Sequence, residues 1–297
     1  MSGEERFIFT VATGRCGQSS LTELVGNHVP GCYPAFEQPD IRMILPAPFA
    51  AYERRFRRRF VETHELLGRG KVLTAFERGD HAYIDGIVAQ RLRMVRRDMK
   101  RHDVSIYFDI SKFFARGLHV GFTKAVGRFA LVNLVRDPLR NMRSFLNRDK
   151  RFTLDSSLPD ANSNILRLSS SDMSAGELYL WAWCELYLRF EGMRQSGKVT
   201  HAVEIRTEDL VNPQRMNAAL DALGLDHSPV RALPPSNTNT QQGLPETRVS
   251  ASDVRLFERF LDRVPSELRD RIAYLKNYDP WTFYNLRTVE SHASAGV

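Results

Sequence analysis

The chain has 297 residues, of which 42% are hydrophobic, and it carries a formal net charge of +7. This length fits one large α/β domain or two small ones, and the apolar fraction excludes a disordered or fibrous protein. No apolar run approaches the ~18 residues of a membrane span, and no zinc-ligand or RNP-type motif is present, so we expect no membrane span and no nucleic-acid partner. The positive charge suits an anionic ligand.

The cysteines indicate a reducing compartment. Cys16, Cys32 and Cys184 are odd in number, and their spacing fits no metal or redox motif. We therefore expect reduced thiols, a cytoplasmic location and no metal centre. The strand-like run that follows Glu5 is too short for the apolar region of a signal peptide.

The predicted elements alternate along the chain. Strand-like runs occur at 6–12, 104–110, 129–135 and 199–205, and helical patterns at 47–67, 80–100 and 174–193. Strands that alternate with helices predict an α/β fold with a parallel sheet and crossover helices. We predict a single domain over 1–290, a polar loop or lid at 149–173 and a frayed tail at 291–297.

The first strand-like run leads into an anion-binding pattern. Residues 13–20 read Thr-Gly-Arg-Cys-Gly-Gln-Ser-Ser, and a helical pattern follows with Leu21, Leu24 and Val25 on one face. Glycines let the backbone approach a ligand, and the first N–H groups and the dipole of a helix favour negative charge. Arg15 adds a permanent cation, and Ser19 and Ser20 add hydroxyl donors.

This loop differs from the phosphate loop of nucleotidases and kinases. That motif ends in Gly-Lys-Ser/Thr, whereas here Gln18 follows Gly17 and no lysine precedes the serines. The lysine that would reach β- and γ-phosphates is absent. The geometry suits a phosphate-like group, but kinase chemistry is poorly supported.

A second segment points to the same edge of the sheet. Arg136-Asp137-Pro138 follows the strand-like run 129–135, and a helical pattern comes next. Asp137 suits the N-cap and Pro138 the first helical position. Arg136 then lies at the carboxyl end of a strand, where open α/β sheets bind ligands. Ser144 follows two helical turns later, and the two side chains could hold one phosphate together.

These segments resemble the sulfotransferases that use 3′-phosphoadenosine 5′-phosphosulfate, and the bacterial members with Arg in the loop are the most similar. Residues 13–20 resemble the family's 5′-phosphosulfate loop, and Arg136-Asp137-Pro138 with Ser144 resembles its 3′-phosphate motif. Residues 203–213, Val-Glu-Ile-Arg-Thr-Glu-Asp-Leu-Val-Asn-Pro, resemble a strand and Glu-Asp-Leu segment found later in many members. The order and the separations match from residue 6 to about residue 213.

The resemblance implies a P-loop-like three-layer sandwich and a set of donor-binding residues. The loop residues would bind the 5′-phosphosulfate, and the implied set is Gly14, Arg15, Cys16, Gly17, Gln18, Ser19 and Ser20. Arg136 and Ser144 would bind the 3′-phosphate, and Arg248, after a polar stretch, is a substitute contact there. Cys16 stands where the family has Ser and Gln18 where it has Thr, which puts donor affinity in question.

The resemblance also implies the reaction. A sulfuryl group would pass from the donor to a hydroxyl, less often an amine, of a small molecule, glycolipid or saccharide, leaving adenosine 3′,5′-bisphosphate and requiring no metal. The helical region at about 35–100 would shape the acceptor site, and a homodimer is compatible with the pattern. Arg15 would stabilise charge at the phosphosulfate.

The general base has two candidates. Glu37 follows the first helix, in a segment where some relatives carry Glu-Pro, and Asp109 lies at the end of the second strand-like run. Lys112, next to Asp109, could donate to the sulfuryl oxygens. The sequence leaves the choice between the two carboxylates open.

Two other interpretations also remain. A nucleotide-dependent kinase with a divergent loop and a catalytically silent nucleotide-binding protein on the same fold both fit the loop. The arginine-rich runs 53–59 and 91–101 indicate solvated helix faces, or a rim that attracts an acidic acceptor.

Overall fold

The computed structural model describes residues 4–38, 46–49, 52, 64–147, 162–231 and 248–287. Within these ranges five strands form one parallel sheet in the order β2-β3-β1-β4-β5. The strands are β1 Arg6–Val11, β2 Cys32–Phe36, β3 Ile106–Ile110, β4 Phe129–Val135 and β5 Val199–Arg206. The predicted parallel α/β class is confirmed.

Ten helices accompany the sheet within the described ranges. They are α1 Gln18–His28, α2 Lys71–Arg78, α3 His81–Arg101, α4 Leu118–Ala125, α5 Pro138–Leu146, α6 Ala175–Arg194, α7 Pro213–Ala222, α8 Ala251–Asp262, α9 Ser266–Arg269 and α10 Pro280–Phe283. The helices predicted over 80–100 and 174–193 are confirmed as α3 and α6. Of the helix predicted over 47–67, the described residues show the 3₁₀ helices Ala47–Phe49 and His64–Leu67 and an α-helical Tyr52, and the rest lies outside the described residues.

The helices form layers on both faces of the sheet. On one face Phe9 and Leu131 pack against apolar side chains of α2, α3, α4 and α6. On the other face Ile8 and Val132 pack against α1 and α7. Because both faces are covered, the central strands are almost continuously apolar, as parallel sheets require. The predicted three-layer sandwich is confirmed.

The sequence analysis missed strand β2. This strand has five residues, contains Pro34 and lies at the edge of the sheet beside β3. Proline cannot donate to a strand ladder and is tolerated at edges, so a short run that contains it gives a weak strand pattern. The omission matters because β2 leads directly into Glu37.

The strand order locates the ligand-binding edge. Strand β1 lies between β3 and β4, with β2 and β3 on one side and β4 and β5 on the other, so the chain crosses from one side of β1 to the other between β3 and β4. Open α/β sheets bind ligands outside the carboxyl ends of the strands at such a switch point. The segments that follow β1, β3 and β4 therefore meet at one edge, and they contain most of the predicted site residues.

The polar insert is partly anchored. Its residues 149–161 lie outside the described residues, whereas 162–173 form a loop packed on α6. The buried Glu185 carboxylate accepts hydrogen bonds from the Ile165 and Leu166 amides at 3.1 and 2.8 Å. Arg189 donates to Glu185 at 2.7 Å and to Asn164 Oδ1 at 2.8 Å. The described part of the predicted lid is thus held by a buried ion pair.

Candidate functional site

The loop between β1 and α1 has an unusual backbone. Gly14, Arg15 and Gly17 have φ angles of 94°, 63° and 90°, in the region that favours glycine. A Cβ at Gly17 would overlap Leu210 Cδ1, so a side chain there would require Leu210 to move. Arg15 adopts the same region with a full side chain, and non-glycine residues held in this way cluster at functional sites.

Four successive carbonyls of this loop are held by side chains from elsewhere in the fold. The pairs are Thr13 O with Arg116 Nη2 at 3.1 Å, Gly14 O with Asn141 Nδ2 at 3.0 Å, Arg15 O with Arg136 Nη1 at 3.3 Å, and Cys16 O with Thr207 Oγ1 at 2.9 Å. In a trans peptide the carbonyl of one residue and the N–H of the residue that follows it point in opposite directions. The amides of residues 14–17 therefore point away from these donors, which suits them to bind an anion.

Arg15 connects the loop to α5. Its Nε donates to Ser144 Oγ at 3.4 Å, and its carbonyl accepts from Arg136. Ser144 is buried, whereas Arg15 and Arg136 are partly exposed. The structure thus brings together three side chains that the sequence placed in two separate motifs. Ser19 and Ser20 begin the first turn of α1, next to the same loop.

Two substitutions relative to the family pattern have visible consequences. Gln18 is buried, and among the described residues its amide Nε2 has no hydrogen-bond partner. Cys16 is fully buried, and its Sγ lies 3.2 Å from both Thr13 Oγ1 and Gly14 O. Burial raises the pKa of the Cys16 thiol, so this side chain is a neutral packing group inside the loop.

The start of α5 is capped as predicted. The buried Asp137 carboxylate accepts from the Arg140 amide at 2.8 Å, which confirms its N-cap role, and Pro138 occupies the first helical position. Asp137 also accepts hydrogen bonds from the Tyr278 and Tyr284 hydroxyls. The C-terminal aromatic segment is therefore packed over the start of α5, directly beside Arg136.

A lysine and a carboxylate meet at the ends of β2 and β3. Lys112 Nζ lies 2.8 Å from Glu37 Oε1, and their side chains are 31% and 25% exposed. Glu37 has a φ of 46°, the same uncommon region as Arg15. The stem of Lys112 approaches Gly14, whose ideal Cβ would lie 3.0 Å from Lys112 Cδ. This pair is therefore next to the anion-binding loop and accessible to solvent.

Cations surround Lys112. Its ammonium lies 4.7 Å from the centre of the Phe113 ring, and the guanidinium groups of Arg69 and Arg116 lie 5.5 and 5.6 Å from that centre. Burial lowers the pKa of Lys112, Arg116 and Arg69 lower it further, and Glu37 opposes them. Three cations thus lie close together at this edge of the sheet, which suits it to an anionic ligand.

Asp109 lies in a different environment from Glu37. It is fully buried, and its Oδ2 lies 2.6 Å from Nη2 of Arg91, which is 1% exposed. Arg91 also donates to the Leu66 carbonyl at 3.1 Å. Burial raises the pKa of Asp109 and Arg91 opposes the rise. The prediction that Arg91 belongs to a solvated helix face is wrong, because this arginine points inward and neutralises Asp109.

The remaining predicted features are one residue that the structure describes and three segments that it does not. Arg248 is exposed, and among the described residues it makes no hydrogen bond with the loop. The arginine-rich run 53–59, the polar stretch 232–247 and the tail 291–297 lie outside the described residues.

No group of three or more His, Cys, Asp or Glu residues suited to a metal ion occurs in the described ranges. Nor is any helix there both long enough and apolar enough to cross a membrane.

Sequence reasoning missed three residues that shape the loop. Arg116, Asn141 and Thr207 hold its carbonyls but lie 103, 127 and 191 residues from their partners. One sequence feature could have identified Asn141: it lies three residues before Ser144 and so shares the same helix face. Thr207 lies within the segment 203–213 already noted for its resemblance to the family.

Comparisons with known proteins add a distant structural likeness. No family model and no curated protein matches the sequence. Among solved structures, the chain is similar to a sulfotransferase from Alicyclobacillus acidocaldarius, with 14% identity and a TM-score of 0.42 over 95% of this chain and 99% of that chain. A TM-score below 0.5 at this identity establishes neither a family nor an activity for the present chain.

Proposed function

We propose that this chain transfers a sulfuryl group from 3′-phosphoadenosine 5′-phosphosulfate to a hydroxyl, less often an amine, of a small molecule, glycolipid or saccharide. The observation that carries the proposal is the contact of the loop with Arg136, which precedes α5, and with Ser144 in the last turn of α5. Arg136 Nη1 donates to Arg15 O, and Arg15 Nε donates to Ser144 Oγ. Two guanidinium groups and a hydroxyl at one sheet edge suit a ligand with two separate phosphate-type groups.

Features of the loop itself support a nucleotide donor with this charge. The amides of residues 14–17 point away from the groups that hold the carbonyls, and the buried Gln18 amide has a donor without a partner among the described residues. The loop residues with Ser19 and Ser20 would hold the phosphosulfate end. Arg136 and Ser144 would hold the 3′-phosphate.

The same edge offers the groups that the reaction needs. The donor supplies a sulfur whose bond to a phosphate oxygen breaks as the acceptor oxygen attacks. Glu37 would take the acceptor proton, because its carboxylate is solvent-accessible beside the loop. Lys112 would orient the Glu37 carboxylate through their ion pair, and Lys112 and Arg15 would stabilise negative charge on the transferring and departing oxygens.

The donor site can be tested by following thermal unfolding with adenosine 3′,5′-bisphosphate, ATP and AMP. A ligand that binds only the folded state adds about 2.7 kcal/mol at a hundredfold excess over its dissociation constant. We expect the bisphosphate to raise the melting temperature and Arg136→Met to remove most of that rise. Arg140→Met is the matched control, because its guanidinium lies near the rings of Phe283 and Tyr284 rather than the loop.

The other outcomes of this titration are equally informative. A shift with ATP alone would favour the kinase interpretation. A bisphosphate shift without sulfuryl transfer to any acceptor would favour a silent binding protein. No shift with any of the three nucleotides would refute the proposed donor site.

Glu37→Gln tests the base. We expect it to lower kcat by about 10²–10⁴ with little change in the donor KM, because the acceptor loses its proton acceptor while the donor contacts remain. The melting temperature should hardly change, since a partly exposed ion pair contributes about 0–1 kcal/mol. Release of the bisphosphate can be followed with phenolic, sugar and amine acceptors, with Glu65→Gln as control. An unchanged kcat in Glu37→Gln would exclude Glu37 as the base.

A further inference from the structure

The side chain of Asn141 joins α5 to the loop. It is fully buried, and its Nδ2 donates to Gly14 O at 3.0 Å. Its Oδ1 accepts from the Thr13 hydroxyl at 2.6 Å and from the Cys16 thiol at 3.5 Å. One amide thus contacts three of the four loop residues 13–16, and both its donor and its acceptor are used.

The peptide between Gly14 and Arg15 is the one that most needs such a contact. Gly14 has a φ of 94°, and a glycine has few steric barriers to other backbone conformations. If this peptide rotated, the Gly14 carbonyl would replace the Arg15 N–H on the ligand side and repel an anion. The Asn141 amide opposes that rotation by binding the carbonyl from the opposite side.

Asn141 also lies on the same segment as the second anion-binding pair. Asn141 and Ser144 are three residues apart, so they share one face of α5, and Arg136 precedes the same helix. That face contacts the loop through Asn141 and through the bond between Ser144 and Arg15. An anion that orders the loop would therefore also order this face of α5, and an anion that orders this face would also order the loop.

We infer that Asn141 is a positioning residue that keeps the Gly14 carbonyl turned away from the ligand and couples the two anion-binding halves of the site. The ligand assignment rests on the proposed function, whereas the backbone effect belongs to the protein without ligand. Asn141 does not touch the ligand in this proposal. It acts through Gly14 and Arg15.

The experiment compares three variants. Asn141→Leu removes all three polar contacts, and Thr13→Val with Asn141→Leu also removes the hydroxyl that has lost its acceptor. Met142→Ala is the matched control, because Met142 is a buried α5 residue whose sulfur lies near Gly176 of α6. For each variant we would measure the melting temperature, the dissociation constants of adenosine 3′,5′-bisphosphate and AMP, and the ¹H–¹⁵N NMR shifts of the amides of residues 14–17 without ligand.

We expect Asn141→Leu to weaken bisphosphate binding about 10- to 100-fold, to weaken AMP binding less, and to displace the loop amide shifts. The double variant should regain melting temperature without regaining affinity, since pairing two apolar groups removes the hydroxyl that lost its acceptor but does not restore the amide donor to the Gly14 carbonyl. Met142→Ala should lower the melting temperature and leave affinity and loop shifts unchanged.

Two results would overturn the inference. One is Asn141→Leu with unchanged loop shifts in the ligand-free protein. The other is recovery of bisphosphate affinity together with stability in the double variant, which would make the role of Asn141 purely structural. If the unmodified protein binds no bisphosphate, the proposed function fails, and the loop shifts alone decide the role of Asn141.

Discussion

Replacing Arg15 by glycine is expected to lower sulfuryl-transfer activity by about 10²–10³ while leaving the melting temperature unchanged or slightly higher. Arg15 holds a φ of 63°, a conformation that costs an L-residue about 1–2 kcal/mol and glycine almost nothing. Glycine also has more conformational freedom in the unfolded chain, which offsets about 0.4–1 kcal/mol of that stabilisation. The hydrogen bond to Ser144 is long, at 3.4 Å, so its loss adds little.

Activity and stability should therefore change independently at this position. If glycine proves to be as stable as arginine at this position, folding alone does not account for the arginine, whereas a role in binding an anion would. The measurement combines kcat with thermal unfolding of the same preparation. Asp103→Gly is the matched control, because Asp103 has a φ of 51° in the turn before β3. Its activity should be unchanged, and a large loss of stability in Arg15→Gly would contradict the argument.

Asp109→Asn should be the most destabilising of the single substitutions considered. The Asp109 side chain is fully buried, and its partner Arg91 is 1% exposed. Removing one partner of a buried pair leaves an uncompensated charge, which costs about 3–5 kcal/mol. Denaturant unfolding of the two proteins measures this difference directly. We expect the folded fraction of the variant to keep kcat within about tenfold, because Asp109 is shielded from the ligand-binding edge by the pair itself.

A compensated variant separates structure from chemistry. Arg91→Met with Asp109→Leu removes both charges, and well-packed apolar replacements of buried pairs are often neutral. We expect this double variant to regain most of the lost stability and to keep activity. If Asp109→Asn instead remained stable and lost activity a hundredfold or more, Asp109 rather than Glu37 would be the base. This outcome decides the choice that the sequence left open.

The parts of the site that follow local rules were predictable. A small-residue turn between a strand and a helix, and an Arg-Asp-Pro at the end of another strand, are read from adjacent residues. Both segments lie where the sequence placed them, and Asp137 caps α5 as predicted. Asn141 and Arg116 were not predictable, because their partners are more than 100 residues away and an isolated Asn or Arg has no distinctive spacing.

The sequence by itself determined the parallel α/β class, most of the strands and helices, and the sheet edge at which the candidate site residues meet, because hydrophobic periodicity and turn residues are local properties. Only the tertiary structure separated the two carboxylates. The parallel register pairs Ala35 with Asp109, and so Glu37 extends past the end of the ladder to Lys112. Asp109 stays within β3, where packing of α3 places Arg91 against it. Burial and long-range pairing depend on how the elements pack, so only the tertiary structure shows that Glu37 is accessible to solvent and that Asp109 is not.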